Sequence, residues 1–217
     1  MDLDDYINKM KEIHEKLLNF IEDEDNEEEK FQNLETNINN FQFENKRHEF
    51  KSFLYLVSRI ASNHYRGPNF INKIERILLI VKDFITKNFT NIEIFNIFKD
   101  CKIIILFLHE EKIIVIDESI IDEMKNSKLS KSNYSLYFTN EIHQNKKTNN
   151  SETNSTEKRK IGENDHYICK LIREDLIEEF IIYVNKNSIS LNSTIEDSIF
   201  ETNSYLIKNK STLIEYA

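Results

Sequence analysis

The sequence predicts an all-α fold, an irregular α-solenoid of helical hairpins. Three observations carry that expectation. Apolar residues recur at three- and four-residue steps through most of the chain, which is the period of a helix with one buried face. Only 2 Gly and 1 Pro occur in 217 residues, against average usage of about 7% and 5%, and tight turns lean on those two residues. An apolar fraction of 39%, with 15 Phe and 9 Tyr, supplies enough side-chain volume for a core. Helices joined by polar linkers satisfy all three; sheets joined by tight turns do not.

Leu3, Ile7, Met10, Leu17, Leu18 and Ile21, with His14 or Ile13 between them, mark a first amphipathic helix, ended by Glu22-Asp23-Glu24-Asp25. A second, from Glu27 to Asn39, carries Phe31, Leu34 and Ile38 on one stripe, so the two form an antiparallel hairpin over an acidic, solvated turn. From Glu44 to His64, a helix places Phe50, Phe53, Leu54, Val57, Ile60 and Ala61 on one face. Arg66-Gly67-Pro68 breaks it, because proline disfavours helix in the residue before it. Asn69 is positioned to cap the next helix, whose Phe70, Ile71, Ile74, Ile77, Leu78, Val81, Phe84 and Ile85 keep the spacing to Lys87. Thr90-Asn91-Ile92-Glu93 is a capping box. Lys102 to Glu111 is apolar nearly all round, which argues for a buried helix, while its β-branched content leaves a strand open. Asp117-Glu118 lead a short helix through Met124, with the acids at its positive end.

Between Thr139 and Asn164 hardly an apolar residue occurs, so nothing offsets the cost of ordering backbone. This stretch reads as a flexible linker between a helical leader, 1–138, and a C-terminal segment, 165–217. Tyr134, Leu136, Tyr137, Phe138 and Ile142 anchor its entrance. In the C-terminal segment Ile168, Leu171 and Ile172 form a short helix, Arg173-Glu174-Asp175 a turn, and Leu176, Ile177, Phe180, Ile181 and Val184 a second helix. Ser188 to Asn192 alternates as an extended arm does, and Thr194-x-x-Asp197 offers a cap for a helix through Ile207.

The closing Thr212-Leu213-Ile214-Glu215-Tyr216-Ala217 can be laid on the Thr-Pro-Leu-His-x-Ala opening of an ankyrin repeat. Together with His166 to Asp175, Phe180 to Asn192, Ile199 to Ser204, and the upstream pieces Asn63 to Asn69 and Ile105 to Ile114, the chain resembles the helical leader domain of unknown function that precedes ankyrin repeats in flagellate-protist proteins. The resemblance implies a helical leader, a degenerate ankyrin-like helix pair with the start of a truncated repeat, and ordinarily an ankyrin array that recognises protein surfaces. It implies no catalytic residue.

Net charge is −9, which disfavours nucleic acid and anionic lipid as partners. No apolar run approaches the ~20 residues of a membrane span, and Met1-Asp2-Leu3-Asp4-Asp5 is acidic where a signal peptide is basic; the expected location is cytoplasmic. Gly67 and Gly162 stand too far apart for a glycine-rich cofactor loop. Cys101 and Cys169 lack CxxC spacing and read as buried structural thiols. His48 with Glu44, and His64 with Arg66, are helix-surface pairs rather than convergent catalytic groups. The acids from Glu22 to Glu29 lack the spaced ligands of a calcium loop. Lys158-Arg159-Lys160 has the look of a minimal nuclear-localisation cluster, a pattern that arises often by chance. The expectation is therefore no enzyme, no cofactor and no metal.

What remains is a non-enzymatic protein-interaction or scaffold module with a protein partner. Its expected contact surface is Leu206, Ile207, Leu213, Ile214 and Tyr216, because a solenoid unit cannot bury its apolar face alone. The alternatives are a self-assembling structural protein, a homo-oligomer built through Leu3 to Ile21, and a gene fragment lacking its binding repeats.

Overall fold

Helical periodicity decides nearly every segment of the computed structural model, which describes residues 3–22, 25–40, 47–63, 69–126, 133–142, 152–203, 206 and 209–216. Among the described residues there are fourteen α-helices and no strand; an isolated bridge pairs Thr194 with Thr212. The chain divides into two units, residues 1–100 with 107–115, and residues 101–106 with 116–217.

In the first unit α1 (Leu3–Glu22) packs against α2 (Glu27–Asn40) and α4 (Phe70–Ile80), while α3 (Arg47–Asn63) packs against α4 and α6 (Asn91–Phe98). The α1–α2 pair is antiparallel: Lys16 Nζ donates to Asn37 Oδ1 at 2.8 Å and the Phe20 and Phe31 rings lie 5.3 Å apart. The buried stripe of α1 is Ile13, Leu17, Phe20 and Ile21, and Ile7 stays exposed. The acidic turn is not simply solvated. Arg76 of α4 reaches Glu27 at 2.7 Å and Glu28 at 2.8 Å with its guanidinium 3.9 Å from the centre of the Phe31 ring. Buried Lys73 donates to the Ile21 carbonyl at 3.3 Å, satisfying an acceptor that the end of a helix leaves open.

All six residues expected on the inner face of α3 are buried. The Phe50 ring lies 4.2 Å from Phe84 and 5.8 Å from Phe53 and Phe89, so one aromatic cluster joins α3 to α5 (Lys82–Asn88). The expected helix from Phe70 to Lys87 is interrupted at Val81 (φ −103°, ψ 6°), although Ile85 N–H still donates to the Val81 carbonyl at 3.0 Å. Asn69 does not cap with its side chain: its backbone is left-handed, φ 61°, and its carbonyl accepts from Lys73 N–H. The capping box does form. Thr90 Oγ1 accepts from Glu93 N–H at 3.4 Å and the Glu93 carboxylate accepts from Thr90 N–H at 2.9 Å. That amide and the guanidinium of Arg47, 2.5 Å away, hold the Glu93 carboxyl down at about 2.

Helix α7 (Lys102–Glu110) is apolar from Ile103 to Leu108, its residues through Leu106 counting with the second unit. In that unit α8 (Glu118–Asn126) starts from Asp117, whose carboxylate accepts from Ile120 N–H at 3.1 Å. Helices α9 (Tyr134–Tyr137) and α10 (Thr139–Ile142) follow, with Tyr134, Tyr137 and Phe138 buried as the anchor expected there, and Leu136 exposed.

The expected linker is not a free coil over its whole length: α11 (Glu152–Ile161) is a helix with a buried arginine. Arg159 Nη1 donates to both Glu141 oxygens at 2.8 Å and to the Tyr137 carbonyl at 3.2 Å, while Tyr137 O–H donates back to the Arg159 carbonyl at 2.8 Å. Ion pairing replaces the missing apolar residues. Gly162 follows at φ 68°, and a Cβ there would lie 3.0 Å from both Ile103 Cδ1 and Thr202 Oγ1. Helix α12 (Tyr167–Arg173) and α13 (Ile177–Asn187) form the expected hairpin, and α14 (Leu213–Tyr216) packs on α12.

Thr90→Ala should destabilise the first unit by about 1 kcal/mol in urea denaturation, the usual value of a lost N-cap. Gly162→Ala should cost the second unit about 2 kcal/mol, since it combines a left-handed backbone with two close contacts.

Candidate functional site

The segment from Ser188 to Asn203 has too few apolar residues to bury itself, and polar side chains hold it instead. Lys102, 2% exposed, donates to the carbonyls of Glu201 at 3.2 Å and Ile199 at 3.5 Å. Its ammonium also lies 5.5 Å and 5.7 Å from the ring centres of Tyr137 and Tyr134, faces that attract a cation. The Glu201 carboxylate accepts from the backbone N–H of Asn164 at 3.1 Å and of Asn203 at 2.7 Å. Asn164 Nδ2 donates to the Glu196 carbonyl at 2.9 Å, Ser198 Oγ to Asp165 at 2.7 Å, and Thr202 Oγ1 to the Gly162 carbonyl at 2.7 Å. These bonds consume the groups that a helix from Thr194 to Ile207 would need, which is why Thr194–Asn203 is irregular rather than the expected helix.

Burial pulls the Lys102 ammonium down to about 8, with the Glu201 charge opposing the shift. Burial, with the Glu201 charge behind it, pushes the Cys169 thiol up to about 12 and also raises the Tyr216 hydroxyl. A thiol in that range stays protonated at neutral pH. Beside Lys102 lies a cavity of about 50 Å³ bounded by Asn164, Lys210, Ser211 and Tyr216, room for a few water molecules. Ser211 Oγ is buried there without a hydrogen-bond partner among the described residues. A groove of about 310 Å³ runs between Tyr167, Tyr183, Ile189, Thr194 and Leu213.

The polar arm leaves α13 uncovered on its outer side. No residue of α13 is buried. Its inner side meets α12, the Tyr167 and Tyr183 rings packing edge to face at 5.1 Å. Ile177 and Ile181 share a stripe by their spacing, and Val184, further along it, is half-buried with Phe180 and Tyr183. Ile177 is 60% exposed, Ile181 52% and Ile182 65%, with Leu176 at their N-terminal end also exposed.

Of the five expected contact residues, Leu206 and Tyr216 line the same small cavity beside Lys102. Leu213 is buried, Leu206 and Tyr216 are half-buried, Ile214 is 62% exposed, and Ile207 lies outside the described residues. Leu213 turns inward because its N–H donates to the Ser193 carbonyl at 3.1 Å and α14 packs on α12. Exposed apolar side chains also stand on α13, which the periodicity places on a stripe without saying what covers it.

Both cysteines are buried. Lys158 and Arg159, read as part of a basic cluster, are engaged with Asp165 and Glu141 at 2.8 Å. Glu44, His64 and Arg66 lie outside the described residues. Among the described residues no group of three or more His, Cys, Asp or Glu is placed to hold a metal, and no helix is long and apolar enough to cross a membrane. In comparison with known proteins, no family model, no curated protein and no solved structure matches the chain.

Because Lys102 falls from 10.5 unfolded to about 8 folded, the unfolded chain binds more protons between those values, and stability rises with pH across that window. Cys169 acts oppositely above its ordinary 9.0. Denaturation at pH 7.5, 8.5 and 9.5 should therefore show wild type gaining on Lys102→Met as pH rises, by up to roughly 3 kcal/mol at full titration; parallel curves would refute the lowered lysine.

Proposed function

We propose that this chain is a non-enzymatic protein-interaction module, a helical solenoid that is ankyrin-like toward its C-terminus and docks a protein on the outer face of α13. The single observation that carries the proposal is an eleven-residue amphipathic helix with no buried residue and three isoleucines each more than half exposed. Covering the exposed parts of Ile177 and Ile181 alone would contribute about 2–4 kcal/mol. The order helix, turn, helix, extended arm and capped turn supports the ankyrin-like reading, with Thr212 N–H and Oγ1–H both donating to the Glu215 carboxylate at 2.7 Å and 3.0 Å.

Self-assembly through α1 is the second reading. It is supported by the apolar patch of Tyr6, Ile7, Met10 and Leu56, where Ile7 is exposed.

Ile177→Asp/Ile181→Asp should leave the circular dichroism spectrum unchanged and reduce crosslinked capture of the partner from native cytosol at least about tenfold, as loss of an apolar anchor pair does. Equal capture would overturn the proposal. Sedimentation of the same variant, with Ile7→Glu beside it, shows whether any self-association belongs to α13 or to α1.

A further inference from the structure

We infer that the occupant of the α13 face is a basic amphipathic helix, an inference that rests on the docking role proposed above. The backbone of α13 is bonded within its own helix, so the face offers side chains and no free strand edge. Ile177 and Ile181, at i and i+4, stand exposed as a short ridge of the kind that packs into the groove of another helix.

The charges around the stripe set the sign of the partner. Asp175, Glu178 and Glu179 are exposed at the N-terminal turn of α13, Glu178 on the flank of the Ile177–Ile181 pair, and none of the three joins an ion pair among the described residues. Of the cations near that first turn, Arg173 reaches Glu163 at 3.2 Å and Lys170 reaches Glu174 at 3.9 Å, while Lys186 stands in the last turn of α13. Glu178 and Glu179 also suit the positive end of α13, but that role leaves their outward charge unneutralised. A second copy of this chain would set the same carboxylates against each other, in a molecule of net charge −9, and like charges across an interface are costly. Lysine or arginine flanking a Leu/Ile stripe answers both features at once.

The test is fluorescence anisotropy of the full chain with a labelled Leu/Lys peptide of about 18 residues, long enough for about five helical turns, with leucine at helical spacing. Its controls are a scrambled peptide of the same composition and a Leu/Glu analogue. The Leu/Lys amphipath should bind, both controls at least about tenfold more weakly, and Ile177→Ser/Ile181→Ser should weaken it at least about tenfold. Raising NaCl from about 0.05 M to about 0.5 M should weaken wild-type binding several-fold, and Glu178→Gln/Glu179→Gln should remove most of that salt dependence.

Equal binding of the Leu/Glu peptide, or of Leu/Lys to the serine variant, overturns the inference. Leu/Glu binding that the serine variant loses overturns only the basic partner and leaves α13 a docking face. A dimer abolished by the serine variant assigns the face to a second copy. No peptide binding, with capture unchanged in the aspartate variant, removes the docking face itself.

Discussion

A single buried lysine decides how the second unit is closed. Burying the Lys102 ammonium against the rings of Tyr134 and Tyr137 costs desolvation, and the lowered proton affinity is the trace of that cost. The return is an anchor for a chain segment whose few apolar residues, Ile195, Ile199 and Phe200, are only half-buried. Two carbonyls of the 195–203 arm meet the ammonium, and the Glu201 carboxylate behind them receives two backbone amides. An arm held by directed polar bonds sits where those bonds put it, and it does not spread over α13 as a greasy segment would.

Scarcity of glycine shapes the rest of the backbone. Helices commonly end on a left-handed residue that is usually glycine, yet here Lys112, Asp175 and Ser188 take that role at φ 59°, 52° and 51°. Each is flanked by the paired hydrogen bonds of a Schellman motif: Ile113 to Leu108 with Lys112 to His109, Leu176 to Leu171 with Asp175 to Ile172, and Ile189 to Val184 with Ser188 to Asn185. A non-glycine residue there carries a strain of about 1 kcal/mol, which the two bonds and the packing beyond offset. Gly162 is different in kind, because space as well as φ excludes a side chain.

These features mark where the sequence was legible. The stripes of α3 and α4, the Thr90 box and the Asp117 cap are local, and local periodicity or spacing reveals them. Lys102 was also visible as the one cation opening an apolar helix, but its acceptors lie 97 and 99 residues downstream, beyond any pattern of spacing. For the same reason Thr194-x-x-Asp197 reads as a helix start while its backbone groups are taken by tertiary partners. Helix α11 looks like linker because composition registers apolar residues and not pairs; its burial hangs on Arg159 meeting Glu141 and Tyr137. Leu213 and Ile214 are neighbours of equal hydrophobicity, and the turn at Thr212 buries one and exposes the other.

Periodicity states which residues share a face, not what lies across from it, and α13 shows the difference. An isolated helix of eleven residues is marginal in water, and α13 packs on α12 with no residue of its own buried. Its stability therefore sits at the low end for the unit. Any ligand that covers Ile177 and Ile181 binds the helical form and not the frayed one, so it stabilises α13 by mass action as it docks. The exposure on which the proposed docking face rests also makes the order of α13 sensitive to being covered. Under that proposal interaction and local folding are one equilibrium, with the carboxylates at the N-terminal turn favouring the helix.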